Sequence, residues 1–570
     1  MNTARLLVCI RPLCGALLLF VLSGCTQNGN SGAGHDAAIA SAHPLATQAG
    51  MEILAAGGNA FDAAVAVSAA LAVVEPYGSG LGGGGFWLLH RASDDLEVMV
   101  DGREKAPQAA HSDMYLDEHG DVVPGLSVNG ALAAGIPGEP AALVHIAQHY
   151  GRLPLRRTLV PAIRLAREGF VVEAIYQRLA QFRLEALQQD TGAAAIFLHE
   201  GTIPEAGHRI IQEDLAGTLE AIAQSGNNGF YAGEIGERLV AGVTAAGGVW
   251  SLDDLADYKV VEREPVRGEY RGMSITSVAP PSSGGVALVE ILNLLSEFEL
   301  DKLGRADRVH VVVEAMRRAY RDRAEFLGDS DFVEVPVSRL TSHEHAAKLA
   351  TSIDMNRATP SAALPGQRVP DGGDNTTHFS VLDADGNRVA ATLSINYPFG
   401  ACMVPTGTGV LLNDEMDDFS AKPGVPNVYG LVGAEANAIA PGKRPLSSMS
   451  PTFVESADGV AILGTPGGSR IITMVLLGIL DLADGRRPES WVSLPRFHHQ
   501  YLPDVVQYEV DALDEAALKM LAAKGHDLKP HQSTWGNMQA VYLDKNTGAV
   551  FAASDPRGMG AAQVGILHDK

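Results

Sequence analysis

The sequence predicts a layered α/β protein, and three observations predict it. Residues 37–75 read as helix, helical patterns dominate again from about 133 to 330, and strands take over after about 375 with one late helix at "LDEAALKMLAAKGH". Helices, then strands, then more of both, without an internal repeat, suit layers over a shared core better than a string of separate domains. At 570 residues the chain is long enough for a large core. An apolar content of 46% with 19% charged residues is that of a globular chain. The formal charge of −24 repels phosphate backbones, which argues against a nucleic-acid partner.

The first 25 residues form a targeting segment. Arg5 and Arg11 precede an apolar run, Leu13 to Leu22, too short to span a bilayer. It ends in "LSGC", which resembles the lipobox of bacterial lipoproteins and would make Cys25 the lipidated first residue of the mature chain. A polar tether follows over residues 26–37, so contact with a membrane is expected only through the lipid. Thr26 rather than aspartate after the cysteine points to the outer membrane, on the periplasmic side. Cys9 and Cys14 leave with the signal, so Cys25 and Cys402 cannot form a disulfide framework, and Cys402 is read as packing.

Along the folded part, "NAFDAAVAVSAALAVVEP" is Ala/Val-rich on nearly every face and should be fully buried. In "GSGLGGGGFWLLH" the glycines 82–85 lack the Lys-Ser/Thr of a phosphate cradle and precede a strand-like run. They are read as a tight turn where backbones approach closely. "DLEVMVDGR", residues 95–103, is a strand ending in a turn that presents Arg103. Residues 356–375 carry Pro, Gly and Asp without periodicity and read as a connector.

That connector runs into Thr376-Thr377 and then a hairpin. A three-residue loop, Ala384-Asp385-Gly386, suits a type I turn closed by a left-handed glycine. Its register would set Thr376 opposite Ser394, while a two-residue loop would bring Ile395 there instead. A threonine that starts a strand is common. If the Asn375–Thr376 bond were cut, however, Thr376 would hold a hydroxyl and a free α-amine together. An α-amine titrates near roughly 7.7–8.0, so the amine can take the hydroxyl's proton near neutrality.

"TTHFSVLDADGNRVA", "GVLLNDEMDDFS", "RPLSSMSPT" and "GTPGGSRII", together with "HPLATQAGMEILAAGGNAFDAAVA", "GSGLGGGGF" and "DGREKAP" upstream, closely resemble the γ-glutamyltransferase family, also called γ-glutamyltranspeptidase or glutathione hydrolase. The likeness runs from about residue 38 to about 560. It implies a four-layer αββα sandwich of the N-terminal-nucleophile hydrolase type, made as one precursor that cuts itself between Asn375 and Thr376. The large subunit would be residues 38–375 and the small subunit 376–570, associated as a heterodimer.

By the same resemblance Thr376 is the nucleophile, and Ser394 stands where the family usually has a threonine that hydrogen-bonds it. Gly467 and Gly468 match the oxyanion-hole donors. A γ-glutamyl group ends in an α-carboxylate and an α-ammonium, so a selective pocket needs a cation facing anions. Arg103 matches the carboxylate-binding arginine, and Ser447 and Ser448 its hydroxyl helpers. Asn396, Glu415 and Asp418 match the ammonium-binding set, the two acids being three apart so that a turn can aim both at one point. Tyr429 matches a lid loop found in many bacterial members. The implied substrates are glutathione and other γ-glutamyl compounds, with water, amino acids or dipeptides as acceptors.

Two alternatives stand beside this reading: a cephalosporin or glutaryl acylase on the same fold, and a non-catalytic binding lipoprotein. His498-His499 lie in a strand where neighbours face opposite ways, and no HExxH or clustered Cys/His spacing occurs, so neither metal nor cofactor is expected. His378 shares a face with Thr376 and is read as packing rather than as a general base. On a denaturing gel the purified protein should run as two fragments, with mass spectrometry placing one start at Thr376 and a lipid on Cys25; a single full-length species argues for the binder.

Overall fold

The computed structural model of the chain describes residues 36–363, 376–422 and 424–565. The targeting segment with Cys25, the tether up to residue 35, and the connector from 364 through Asn375 lie outside the described residues. Among the described residues no helix is long and apolar enough to cross a membrane.

Two antiparallel sheets organise the molecule. The first runs Ala561–Gly565, Ala37–Ser41, Thr377–Leu382, Arg388–Ser394, Gly84–Arg91, Leu96–Gly102 and Val261–Arg263. The second runs Val550–Ser554, Gln539–Asp544, Gly459–Gly464, Thr452–Glu455, Met273–Ser277 and Val266–Tyr270. They stack face to face, with Ala38, Phe86, Leu88 and Ala390 of the first in one core with Ile275, Phe453, Ala461 and Val541 of the second. The helices Pro44–Ala55 and Ala60–Val74 cover the outer face of the first sheet, and Gly284–Ser296 and Ile471–Ala483 that of the second. This is the four-layer αββα sandwich. Each sheet takes strands from both sides of the connector.

Local chemistry explains the elements around the site. The Ala60–Val74 helix starts in a capping box between Asn59 and Asp62, and every residue in it is buried. Small side chains let it lie between the sheet and other helices at close range. Gly82 to Gly85 are glycines for want of space: a Cβ would fall 2.0 Å from the Leu411 carbonyl oxygen at Gly82, and 2.2 Å from that of Ser394 at Gly83. At Gly84 it would meet the Gly102 oxygen at 2.4 Å. The expected close approach of backbones is what the run provides.

The hairpin has the three-residue loop. Asp383 N–H donates to Asn387 O at 3.0 Å, Gly386 has φ +89, and Leu393 pairs with Thr377. One step further along this register sets Ser394 opposite Thr376.

Three expectations need correction. Residues 37–41 are a strand, not helix; their alternation between two cores, Ile39 outward and Ala38 and Ala40 inward, is hidden by alanine-rich composition. The mainly helical stretch also contains strands: Val261–Arg263, Val266–Tyr270 and Met273–Ser277, which join the two main sheets, and the short pair Phe170–Val171 and Arg209–Ile210. Beyond 375 the late helix Glu515–Ala523 is joined by Ile471–Ala483, a buried apolar run that periodicity cannot tell from a strand.

His378 is wholly buried, its Nδ1 2.8 Å from Thr392 Oγ1, and burial pushes its pKa down to about 3. This is the expected packing role. Because the folded ring excludes a proton that the unfolded one binds, its contribution to stability is complete above pH 6.5 and is lost as pH falls towards 3. Relative to His378→Asn, wild-type unfolding free energy should therefore drop by about 2 kcal/mol between about pH 7.5 and pH 5, measured by urea titration.

Candidate active site

Thr376 sits at the mouth of the hairpin, largely buried, and lines a narrow pocket together with Ser394, Asn396, Arg103 and Asp418. Tyr429, Ser447, Ser448 and Gly468 also line it, with Leu431, Met449 and Ile471 as its apolar wall. Only about 20 Å³ is open inside, close to the room one water needs. Thr377 turns the other way, as adjacent strand residues do, and its hydroxyl donates to Glu75 Oε2 at 2.5 Å. Burial pushes Glu75 up to about 8. Sequence reasoning missed Glu75, whose only signal was a charged residue closing an apolar helix.

Arg103 is the charged centre of the pocket. It follows the Leu96–Gly102 strand, its N–H donates to Asp101 Oδ1, and its carbonyl accepts from Tyr258. The guanidinium is 1% exposed and is held by two acids: Nη1 donates to Glu415 Oε2 and Nη2 to Asp418 Oδ2, each at 2.5 Å. Glu415–Asp418 is a single 3₁₀ turn, in which positions three apart eclipse, so both carboxylates reach one cation. Glu104, absent from the sequence reasoning although next to Arg103, approaches the same Nη1 at 3.4 Å. Burial and the neighbouring Glu415 charge hold the Glu104 carboxyl well above the ordinary range, and Glu415 is also raised by burial against the pull of Arg103.

The remaining walls are fixed by backbone. Asn396 takes φ +71 just after the strand, its N–H donating to Ser394 Oγ and its Nδ2 to Asp414 O. Tyr429 closes the pocket by donating its hydroxyl to the Asn396 carbonyl at 2.7 Å. Ser448 Oγ accepts from Arg323, a buried arginine that sequence reasoning also passed over among the several of its helix. Ser447 Oγ accepts from Met449 N–H. Gly467 and Gly468 have φ +140 and +54, a backbone that only glycine adopts freely. Gly468 faces the pocket, and Gly467 faces a second cavity that also reaches Thr376.

Cys402 packs, as expected, with its thiol pushed up to about 11 by burial and accepting from Arg183 Nε. His498 and His499 turn to different partners, Thr473 and Asp504. Among the described residues two groups have metal-ligand spacing, His310/Glu314/His526 and Glu290/Asp322/His345, and neither includes a pocket residue. In the first the two imidazoles are hydrogen-bonded to each other at 2.7 Å and Glu314 is bound to Arg318. In the second His345 bonds Asp322 directly.

Residues 46–565 match the family model described as Gamma-glutamyltranspeptidase. A glutathione hydrolase proenzyme from Escherichia coli (strain K12) is 45% identical over 528 residues, 91% of this chain and 90% of that one. Among solved structures, a cephalosporin acylase from Bacillus halodurans superposes with TM-score 0.81 at 27% identity, covering 93% of this chain and 96% of that one. The Helicobacter pylori gamma-glutamyltranspeptidase gives TM-score 0.56 at 40% identity, covering 57% of this chain and 94% of that one.

The charge arrangement separates the two glutamates. Glu415→Gln should cost about 1.5–3 kcal/mol because it weakens a charge-assisted bond to a buried cation. Glu104→Gln, at a carboxyl whose charged form is disfavoured by burial and by the Glu415 charge, should cost less, under ~1 kcal/mol by calorimetry.

Proposed function

Because the chain belongs to the gamma-glutamyltranspeptidase family, we propose that it cleaves the γ-glutamyl amide of glutathione and related compounds and passes the γ-glutamyl group to water, an amino acid or a dipeptide. The observation that carries this reading is Arg103 between Glu415 and Asp418 in the pocket that Thr376 lines. An α-carboxylate can take the arginine while an α-ammonium takes the acids, so each ion pair broken on entry is replaced. With so little open space, entry requires the Tyr429 lid and the Arg103 pairs to give way.

The chemistry begins with hydrolysis of the Asn375–Thr376 bond by the chain itself: the Thr376 hydroxyl takes the Asn375 acyl group from the nitrogen, and water cleaves the resulting ester, leaving a carboxylate on Asn375 and a free amine and hydroxyl on Thr376. The Thr376 hydroxyl then attacks the γ-carbonyl carbon and its proton passes to that amine. The tetrahedral oxyanion is held by the N–H groups of Gly467 and Gly468; loss of one such donor commonly costs roughly 2.7–4 kcal/mol of barrier. The C–N bond breaks, the leaving amine takes the proton, and a γ-glutamyl-threonine ester remains. Water or an acceptor amine attacks that ester, and the hydroxyl is restored. Asn396, Ser447 and Ser448 position the α-amino acid head, and Ser394 the nucleophile. Export by the segment ending at Cys25, a lipid on that cysteine, and a periplasmic outer-membrane location belong to the same proposal, as does the pairing of large and small subunits.

The structural likeness to a cephalosporin acylase supports a second reading, turnover of glutaryl amides. Such substrates lack the ammonium, so they would take Arg103 from both acids and offer nothing in return. Two assays decide. Thr376→Ala should remain a single uncut chain that releases no nitroaniline from γ-glutamyl-p-nitroanilide. Wild type should turn over that anilide at least about 100-fold better than glutaryl-p-nitroanilide, a difference near 2.7 kcal/mol; parity or the reverse favours the acylase.

A further inference from the structure

Two spaces meet at Thr376. The second is a cavity of about 270 Å³, near the lower end of small-molecule sites, against about 20 Å³ in the Arg103 pocket. It is bounded by Glu75 and Tyr77 beyond the Ala60–Val74 helix, by Arg178 on the Ala174–Phe182 helix, and by Gly467 and Trp535. The bond that reacts has two sides. If the acyl side occupies the pocket of Arg103, the amine side needs other space at the threonine, and this cavity shares Thr376 with that pocket.

The charged residues lining the cavity are not equivalent. Arg557 is committed to Glu509 and Asp555. Glu75 is bound to Thr377, and burial keeps it largely protonated near neutrality. Arg178 is exposed at the rim and has neither ion pair nor side-chain hydrogen bond among the described residues. Among the described side chains lining the cavity, Arg178 is therefore the positive charge available to whatever enters. A departing cysteinylglycine and an incoming amino acid or dipeptide share the feature that such a charge recognises, a terminal carboxylate, which a dipeptide carries five bonds from the reacting nitrogen.

We propose that this cavity is the subsite for the amine half of the reaction, both the leaving group and the acceptor, and that Arg178 sets a preference for those ending in a free carboxylate. The inference rests on the γ-glutamyl-transfer reading above. An exposed guanidinium acts through a screened field, so the preference is modest and falls with salt.

The test compares acceptors differing only at that end, glycylglycine and glycylglycinamide, with γ-glutamyl-p-nitroanilide as donor. Hydrolysis of the donor alone reports that each variant is processed and folded. Wild type should favour glycylglycine, and Arg178→Ala should reduce the ratio of kcat/KM for the two acceptors about fivefold. Arg178→Lys should restore most of the ratio, Arg178→Glu should invert it, and about 0.5 M NaCl should narrow the wild-type preference. An unchanged ratio in Arg178→Ala, or equal losses for both acceptors, overturns the assignment. No nitroaniline release by wild type would instead sink the underlying reading, and this one with it.

Discussion

Lack of room for a single carbon atom at four consecutive positions organises the site. A side chain anywhere from Gly82 to Gly85 would strike a backbone: Leu411, Ser394, Gly102 or Thr392. The first of these leads to the 3₁₀ turn with Glu415 and Asp418, the second is the end of the strand beside Thr376, and the third precedes Arg103. Three parts of the pocket that are far apart in sequence are thus brought together over one stretch of bare backbone. The glycines contribute no group to the chemistry, and they set the distances between the groups that do.

Within that frame the pocket is an exercise in buried charge. Arg103 carries one positive charge against Glu415 and Asp418, with Glu104 pushed towards its neutral form. In a low-dielectric interior, adding a net charge is expensive, while exchanging partners among charges already paired is not. A zwitterionic head group adds none. Under the proposed reading, selection between acylase and transferase substrates lies in these few side chains set on a common scaffold.

Much of this was legible in the sequence where local rules apply. The hairpin loop narrowed its register to two choices, of which the structure takes the three-residue loop; the three-residue spacing of Glu415 and Asp418 foretold a shared target, and the glycine run foretold close packing. What escaped depended on partners distant in the chain. Glu75 gains meaning only through Thr377, Glu104 through Glu415, and Arg323 through Ser448. The strand Ala37–Ser41 has neighbours on both sides, Thr377–Leu382 and Ala561–Gly565, and its alanines carry no β-propensity of their own. Tertiary context alone makes it a strand.

Both sheets interleave strands from before and after the connector: Ala37–Ser41 lies between Ala561–Gly565 and Thr377–Leu382, and Met273–Ser277 beside Thr452–Glu455. A backbone nick between Asn375 and Thr376 would therefore leave two polypeptides woven through one another rather than docked. For them to part, whole hydrogen-bonded ladders must come undone, so separation would proceed no faster than global denaturation. Dilution would then not loosen the pair, and its persistence would be a matter of kinetics rather than of a binding constant.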